Sequence, residues 1–165
     1  MGTDTKIIIG VIVTTVLLLV GASIVLSHDN SPKREELGTA GMSIDKTVQD
    51  LGNMKVSDER TATFTITNTS QSILRIWGVS TSCNCTFASI TINGKTTGEF
   101  NMSMHMGDTL KNWIGEVPVG QAATLAVTYR PSVMPVTGPV SRQVTFSTND
   151  PKHPEGEVSI TATVL

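Results

Sequence analysis

The sequence predicts an all-β domain behind a single apolar anchor, and three observations carry that prediction. Residues 7–26 (IIIGVIVTTVLLLVGASIVL) run without a charge. Beyond residue 41, apolar side chains recur with a period of two between clusters of Asn, Gly, Pro and Ser. The composition agrees. The 165 residues hold 24 Thr against 4 Phe, 2 Trp and 1 Tyr, and only 16% are charged. Such a mixture disfavours helix and suits strands with one solvated face.

The elements follow in order. As a helix, residues 7–26 would span about 30 Å, the thickness of a bilayer's hydrocarbon core. They are expected to form a transmembrane anchor behind a short tail, 1–6. The alternative is a removed secretory signal, because Val20-Gly21-Ala22 resembles a small-residue cleavage site. Lys6 precedes the span and Lys33 and Arg34 follow it, so the positive-inside count leans by one residue toward a C-terminal side within the cytoplasm. Residues 27–41 (SHDNSPKREELGTAG) are polar, with Pro and Gly, and form a linker to the domain at 42–165.

Within that domain Ser43–Val48 is the first expected strand. In RTATFTITN, Ala62, Phe64 and Ile66 alternate with Thr, and Asn68–Ser72 turns the chain into a strand over Ile73–Val79. Asn93-Gly94 marks a two-residue hairpin, whose type I′ turn needs positive φ at both positions. Phe100, Met102, Met104 and Met106 alternate with Asn101, Ser103 and His105, which predicts a further strand. Pro118-Val119-Gly120 is a turn. Ala123 to Tyr129 alternate again. Val140, Val144 and Phe146 share a face on which Arg142 is the exception, and Val158 to Val164 close the domain. Seven to eight strands and no amphipathic helix after residue 37 indicate an immunoglobulin-like antiparallel β-sandwich.

Charge excludes some functions. The chain carries 12 Lys and Arg against 14 Asp and Glu, a net charge of −2. A nucleic-acid partner would need a basic stripe, and none is visible. There is no G-x-S-x-G, no Gly-rich phosphate loop and no H-E-x-x-H, so the domain is expected not to be an enzyme. His28, His105 and His153 are scattered.

Several marks stand in order: Asp50-Leu51-Gly52, Phe64 to Thr69, Ser82-Cys83-Asn84-Cys85-Thr86, Pro118-x-Gly120, Tyr129-Arg130-Pro131 and Thr148-Asn149-Asp150-Pro151. As a set they resemble the bacterial domain-of-unknown-function family 1573, related to Hydin/ASPM-type immunoglobulin-like domains. The resemblance runs from about residue 43 to 165. It implies a seven-stranded sandwich, exported and membrane-attached, with no established reaction, and so a domain outside the cytoplasm. Asn84 stands where the family commonly has Gly, and the stretch from Thr91 to Glu116 is longer than its simplest members need.

Three features hold candidate sites. Cys83 and Cys85, two apart on a strand, would lie about 6.6 Å apart at Cα, near the upper limit for a disulfide, so a bridge would require a kink. They are small residues packed at a strand end, thiolates gripping one soft metal ion, or a redox pair. A redox pair needs a cationic or helix-N-terminal setting that the sequence does not display. Met102, Met104 and Met106 fill a core or cover an edge; with His105 they are alternatively soft donors for copper(I), although strand parity sets His105 on the opposite face. The long segment is the expected contact surface for a protein or envelope partner, with Thr97, Phe100, Lys111 and Trp113 as its contacts. Trp77 and Trp113 are expected to pack in the core and loops. Partner binding without catalysis is the leading expectation and copper(I) binding the alternative.

Overall fold

Thr alternating with Ala, Phe and Ile builds the central strand of one sheet, and the same alternation recurs along most of the chain. The computed structural model describes residues 13–15 and 38–165. Two compact units divide the chain, Met1–Ser31 and Pro32–Leu165. Of the first, only 13–15 are described, as helix, so the expected anchor otherwise lies outside the described residues, as does the linker up to residue 37. Among the described residues no helix is long and apolar enough to cross a membrane.

Among the described residues of the second unit there are ten strands: β1 Met42–Ile44, β2 Val48–Met54, β3 Arg60–Asn68, β4 Leu74–Thr81, β5 Thr86–Ile92, β6 Lys95–Thr96, β7 Ile114–Val117, β8 Ala122–Tyr129, β9 Gly138–Thr148 and β10 Glu155–Val164. They make two five-stranded sheets, ordered β1-β3-β8-β5-β6 and β2-β10-β9-β4-β7. Inward residues of both sheets form one core, including Phe64, Ile66, Ile76, Ile90, Leu125, Phe146 and Ile160, each 2% exposed or less. Each large member contributes on the order of 2 kcal/mol through burial. Asn93 and Gly94 have φ of 50° and 76°, so the hairpin signal is realised between β5 and β6.

The sandwich expectation holds, with four corrections. The strands number ten among the described residues where seven to eight were expected, because the first expected strand is split and β6 and β7 are short additions at the sheet edges. The sheets are not wholly antiparallel, because β2 pairs with β10 in parallel. The single strand expected over Ser43–Val48 is two strands that join different sheets. Asp45 breaks it: its Oδ1 accepts from Lys46 N and from Thr65 N at 2.9 and 2.8 Å. The strand expected over Phe100–Met106 is absent. Phe100 forms an isolated bridge with Ala88, and Ser103–His105 and Asp108–Lys111 are single helical turns. Continued from Ala88↔Phe100, antiparallel pairing would set Met102 opposite Thr86, where β5 begins. Met104 and Met106 then have no strand to pair with, so parity alone could not extend the ladder.

One end of the sandwich is closed by buried polar side chains. Asn68 Nδ2 donates to Ser72 O and Val117 O at 2.8 and 2.9 Å, while its Oδ1 accepts from Ser70 N at 3.0 Å. Asn149 Oδ1 accepts from Arg75 N at 2.8 Å, and its Nδ2 donates to Ile73 O at 3.1 Å. Asp150 Oδ2 accepts from Met42 N and meets His153 Nδ1 at 2.9 and 3.0 Å. Burial opposes ionisation of Asp150, but the bonds from His153, Met42 and Lys152 outweigh it and hold its carboxyl at about 2. Ala40, inside the expected linker, is 6% exposed and donates from its N–H to Asn149 O at 3.2 Å.

Candidate functional site

The segment between β5 and β7 builds a groove of about 440 Å³ with Ile92, Leu110 and Trp113 as its apolar surface and Lys95, Thr97 and Glu116 among its polar lining. Trp113 stands edge-on to Phe100, ring centroids 5.3 Å apart at 62°. Gly115 makes room for the indole: a Cβ there would fall inside the Trp113 ring. Thr97 ties the hairpin down, its Oγ1 accepting from Ile90 N at 3.0 Å and donating to Gly98 O at 2.8 Å. Glu116 is held by Arg75 Nε at 2.9 Å. Of the four expected contact residues, Thr97 and Trp113 line the groove. Phe100 is fully buried and supports Trp113 from within. Lys111 is exposed on the helical turn behind Leu110. Trp77 is half-buried on the strand beside β7, paired with Ile114.

Cys83-Asn84-Cys85 lies at the other end of β4, in the turn into β5. Thr86 N donates to Cys83 O at 3.0 Å and closes the turn, which shortens the Cα separation to 5.2 Å and supplies the kink that a bridge requires. The two cysteines form a disulfide. In this state neither sulfur is a thiolate ligand, and among the described residues no group of three or more His, Cys, Asp or Glu is placed to hold a metal ion. Met102 and Met106 are half-buried, while Met104 and His105 are exposed.

The surroundings of the disulfide were not legible as a site. Cys85 is fully buried, and Arg142 Nε donates to its Sγ at 3.3 Å. Arg142 projects from the inner face of β9, with its guanidinium carbon 5.8 Å from the Tyr129 ring centroid. Cys83 is 8% exposed, and its Sγ touches Met134 Sδ at 3.7 Å. Asn101 Nδ2 donates to Asn84 O and Thr86 O at 3.1 and 2.8 Å, tying the start of the Met-rich segment to the cysteine turn. Among the described residues three buried side-chain atoms lack a hydrogen-bond partner: Tyr129 Oη, Asn101 Oδ1 and Gln49 Oε1. Gln49 pairs with Ile160, and Ile160 with Arg142, which sets Gln49 level with Arg142 across β10, while Tyr129 and Asn101 adjoin the cysteine turn. The signal that could have found Arg142 was its place on an otherwise apolar strand face.

Sequence comparison bears on the sandwich and its cysteine turn together. Residues 42–113 match DUF1573, a family described as a protein of unknown function. The resemblance drawn from the residues is borne out over that span. The DUF1573 match takes in β1 to β6, the cysteine turn and Trp113; Arg142 lies beyond it. A search of the curated proteins gives no match. Among solved structures, a protein of unknown function from Porphyromonas gingivalis W83 is similar with a TM-score of 0.55 and 18% identity, over 82% of this chain and 51% of that one. A family 123 glycoside hydrolase from Clostridium perfringens is similar with a TM-score of 0.53 and 10% identity, over 78% of this chain and 27% of that one. This chain thus spans about half of the first and about a quarter of the second. At such identities the likeness is one of fold.

Proposed function

We propose that the domain is a non-catalytic binding module, anchored through residues 7–26 outside the cytoplasm, whose groove receives an extended segment of a partner protein. The supporting observation is the Trp113 groove between two edge strands. β6 and β7 each end a sheet, and the groove is lined from both. An edge strand offers unpaired main-chain groups to an incoming chain. A groove of this size holds one or two side chains, and a half-buried Trp is a frequent binding anchor. Lys95 and Glu116 put both charge signs at the groove, which suits a mixed polypeptide better than a polyanion.

The test is cross-linking of the membrane-bound full chain followed by pull-down, with wild type beside Trp113→Ala and Gly115→Val. Removing a central Trp should weaken capture of the true partner by about 2 kcal/mol, some thirtyfold. Gly115→Val should act likewise by displacing the indole. Capture that survives both variants unchanged would remove the groove from the assignment. Protease added to intact spheroplasts should digest the domain; protection until the membrane is broken would reverse the orientation.

A further inference from the structure

We infer that Cys83–Cys85 is a reversible thiol–disulfide centre, with Cys83 as the sulfur attacked and Arg142 as the positioning residue that stabilises Cys85 as the leaving thiolate. The bridge is a poor staple. Its cysteines are two positions apart, so it closes almost no loop and removes little entropy from the unfolded chain. Its surroundings instead favour the reduced form. A disulfide sulfur is a weak acceptor, whereas a thiolate is a full negative charge. Arg142 Nε at 3.3 Å from Cys85 Sγ therefore offers more to the thiolate than to the bridge. Arg142 is half-buried, and its other hydrogen bond is from Nη1 to Ser141 O at 2.9 Å. Arg130, whose backbone N–H donates to Cys85 O at 2.9 Å, has its guanidinium engaged elsewhere. It stacks on Phe87 at 4.3 Å and is paired with Glu59 and Glu99 at 2.7 and 2.6 Å. Tyr129, under Arg142, adds a buried hydroxyl without a partner.

The two sulfurs are unequal. Cys85 is sealed, while Cys83 retains 8% exposure beneath Met134, which is 49% exposed on the connection from β8 to β9. The reaction partner is a dithiol reductant. Its thiolate attacks Cys83 Sγ, the Cys83–Cys85 bond breaks, and Cys85 departs with the electron pair as a thiolate beside Arg142. The reductant's second thiolate then attacks the mixed disulfide and releases Cys83, which takes up a proton. Two electrons pass to the domain and the dithiol becomes a disulfide. A leaving thiol of lower pKa departs faster, so Arg142 should accelerate the first step.

The full chain in detergent is treated with dithiothreitol, and the rate of reduction and the thiolate absorbance of the reduced form are followed against pH. Arg142→Met should slow reduction about tenfold and raise the thiolate pKa by about one unit, and Arg142→Lys should recover most of both. Unchanged rate and titration in Arg142→Met would overturn the role of Arg142. Should that variant not fold, the polarity of attack decides. With glutathione disulfide, Cys85→Ser should accumulate a mixed disulfide at Cys83 and Cys83→Ser should remain unmodified; equal labelling, or labelling of Cys85 alone, would overturn the assignment.

Discussion

The two ends of the sandwich treat buried polar groups in opposite ways, and β4 runs from one to the other. At its first residue, Leu74, the neighbouring Asn68, Asn149 and Asp150 turn their side chains onto main-chain groups of β1, β4, β7 and the adjoining turns. Beyond its last, Thr81, a disulfide faces a guanidinium, and Tyr129 Oη and Asn101 Oδ1 lack partners. A buried polar group that is fully bonded fixes a structure, and one that is not keeps an uncompensated desolvation cost. The first end is therefore built for stability, and the second holds a cation, Arg142, whose best partner is a charge that the disulfide lacks.

The largest expected effect would break this comparison if it failed. Asn149→Ala leaves Arg75 N and Ile73 O without their partner at a site 1% exposed, and should cost about 3 kcal/mol in urea unfolding. Arg142→Met removes a cation and keeps an apolar stem, and should cost under about 1 kcal/mol. Equal losses in the two variants would mean that both ends are structural.

Acid sharpens the contrast. The Asp150 carboxyl titrates at about 2 in the folded chain against 3.8 as the ordinary value. Because the folded value is the lower one, its contribution of about 2 kcal/mol is complete above pH ~4 and is lost as pH falls toward 2. Asp150→Asn should flatten that part of the stability curve. At the far end the hydrogen-bond partners of Arg142, a disulfide sulfur and a carbonyl, do not titrate in this range, so Arg142→Met should leave the slope as it was. A slope unchanged in Asp150→Asn would show that other carboxylates carry the acid response.

The same contrast explains how much was legible. Strand periodicity reveals burial, so β3, β8 and β10 and the hairpin at Asn93-Gly94 could be read directly. The Asn149-Asp150-Pro151 mark pointed to the family, although its bonds to Ile73, Arg75 and Met42 are long-range. Phe100–Met106 misled because alternation predicts a strand only where a neighbour exists to pair with it, and the register that denies one is a tertiary fact. The groove was half legible: a long segment announced a surface, but nothing local showed that Phe100 would be buried beneath Trp113. The meeting of Cys85 with Arg142, 57 residues apart, depends on packing between the sheets. A charge breaking an apolar face was its trace in the sequence.

Tyr129→Phe is the smallest change and isolates the unpartnered hydroxyl. The ring is fully buried on the inner face of β8, so its apolar contacts and its place under Arg142 should persist when Oη is removed. In a fully satisfied interior such a deletion would cost about 1 kcal/mol for a lost hydrogen bond. Here Oη has no partner, and the oxidised protein should change by less than about 0.5 kcal/mol or gain stability. The comparison is read from thermal melts of the oxidised protein beside wild type. A loss of about 1 kcal/mol or more in the oxidised form would instead show that Oη is bonded in solution, and the two ends would then be alike.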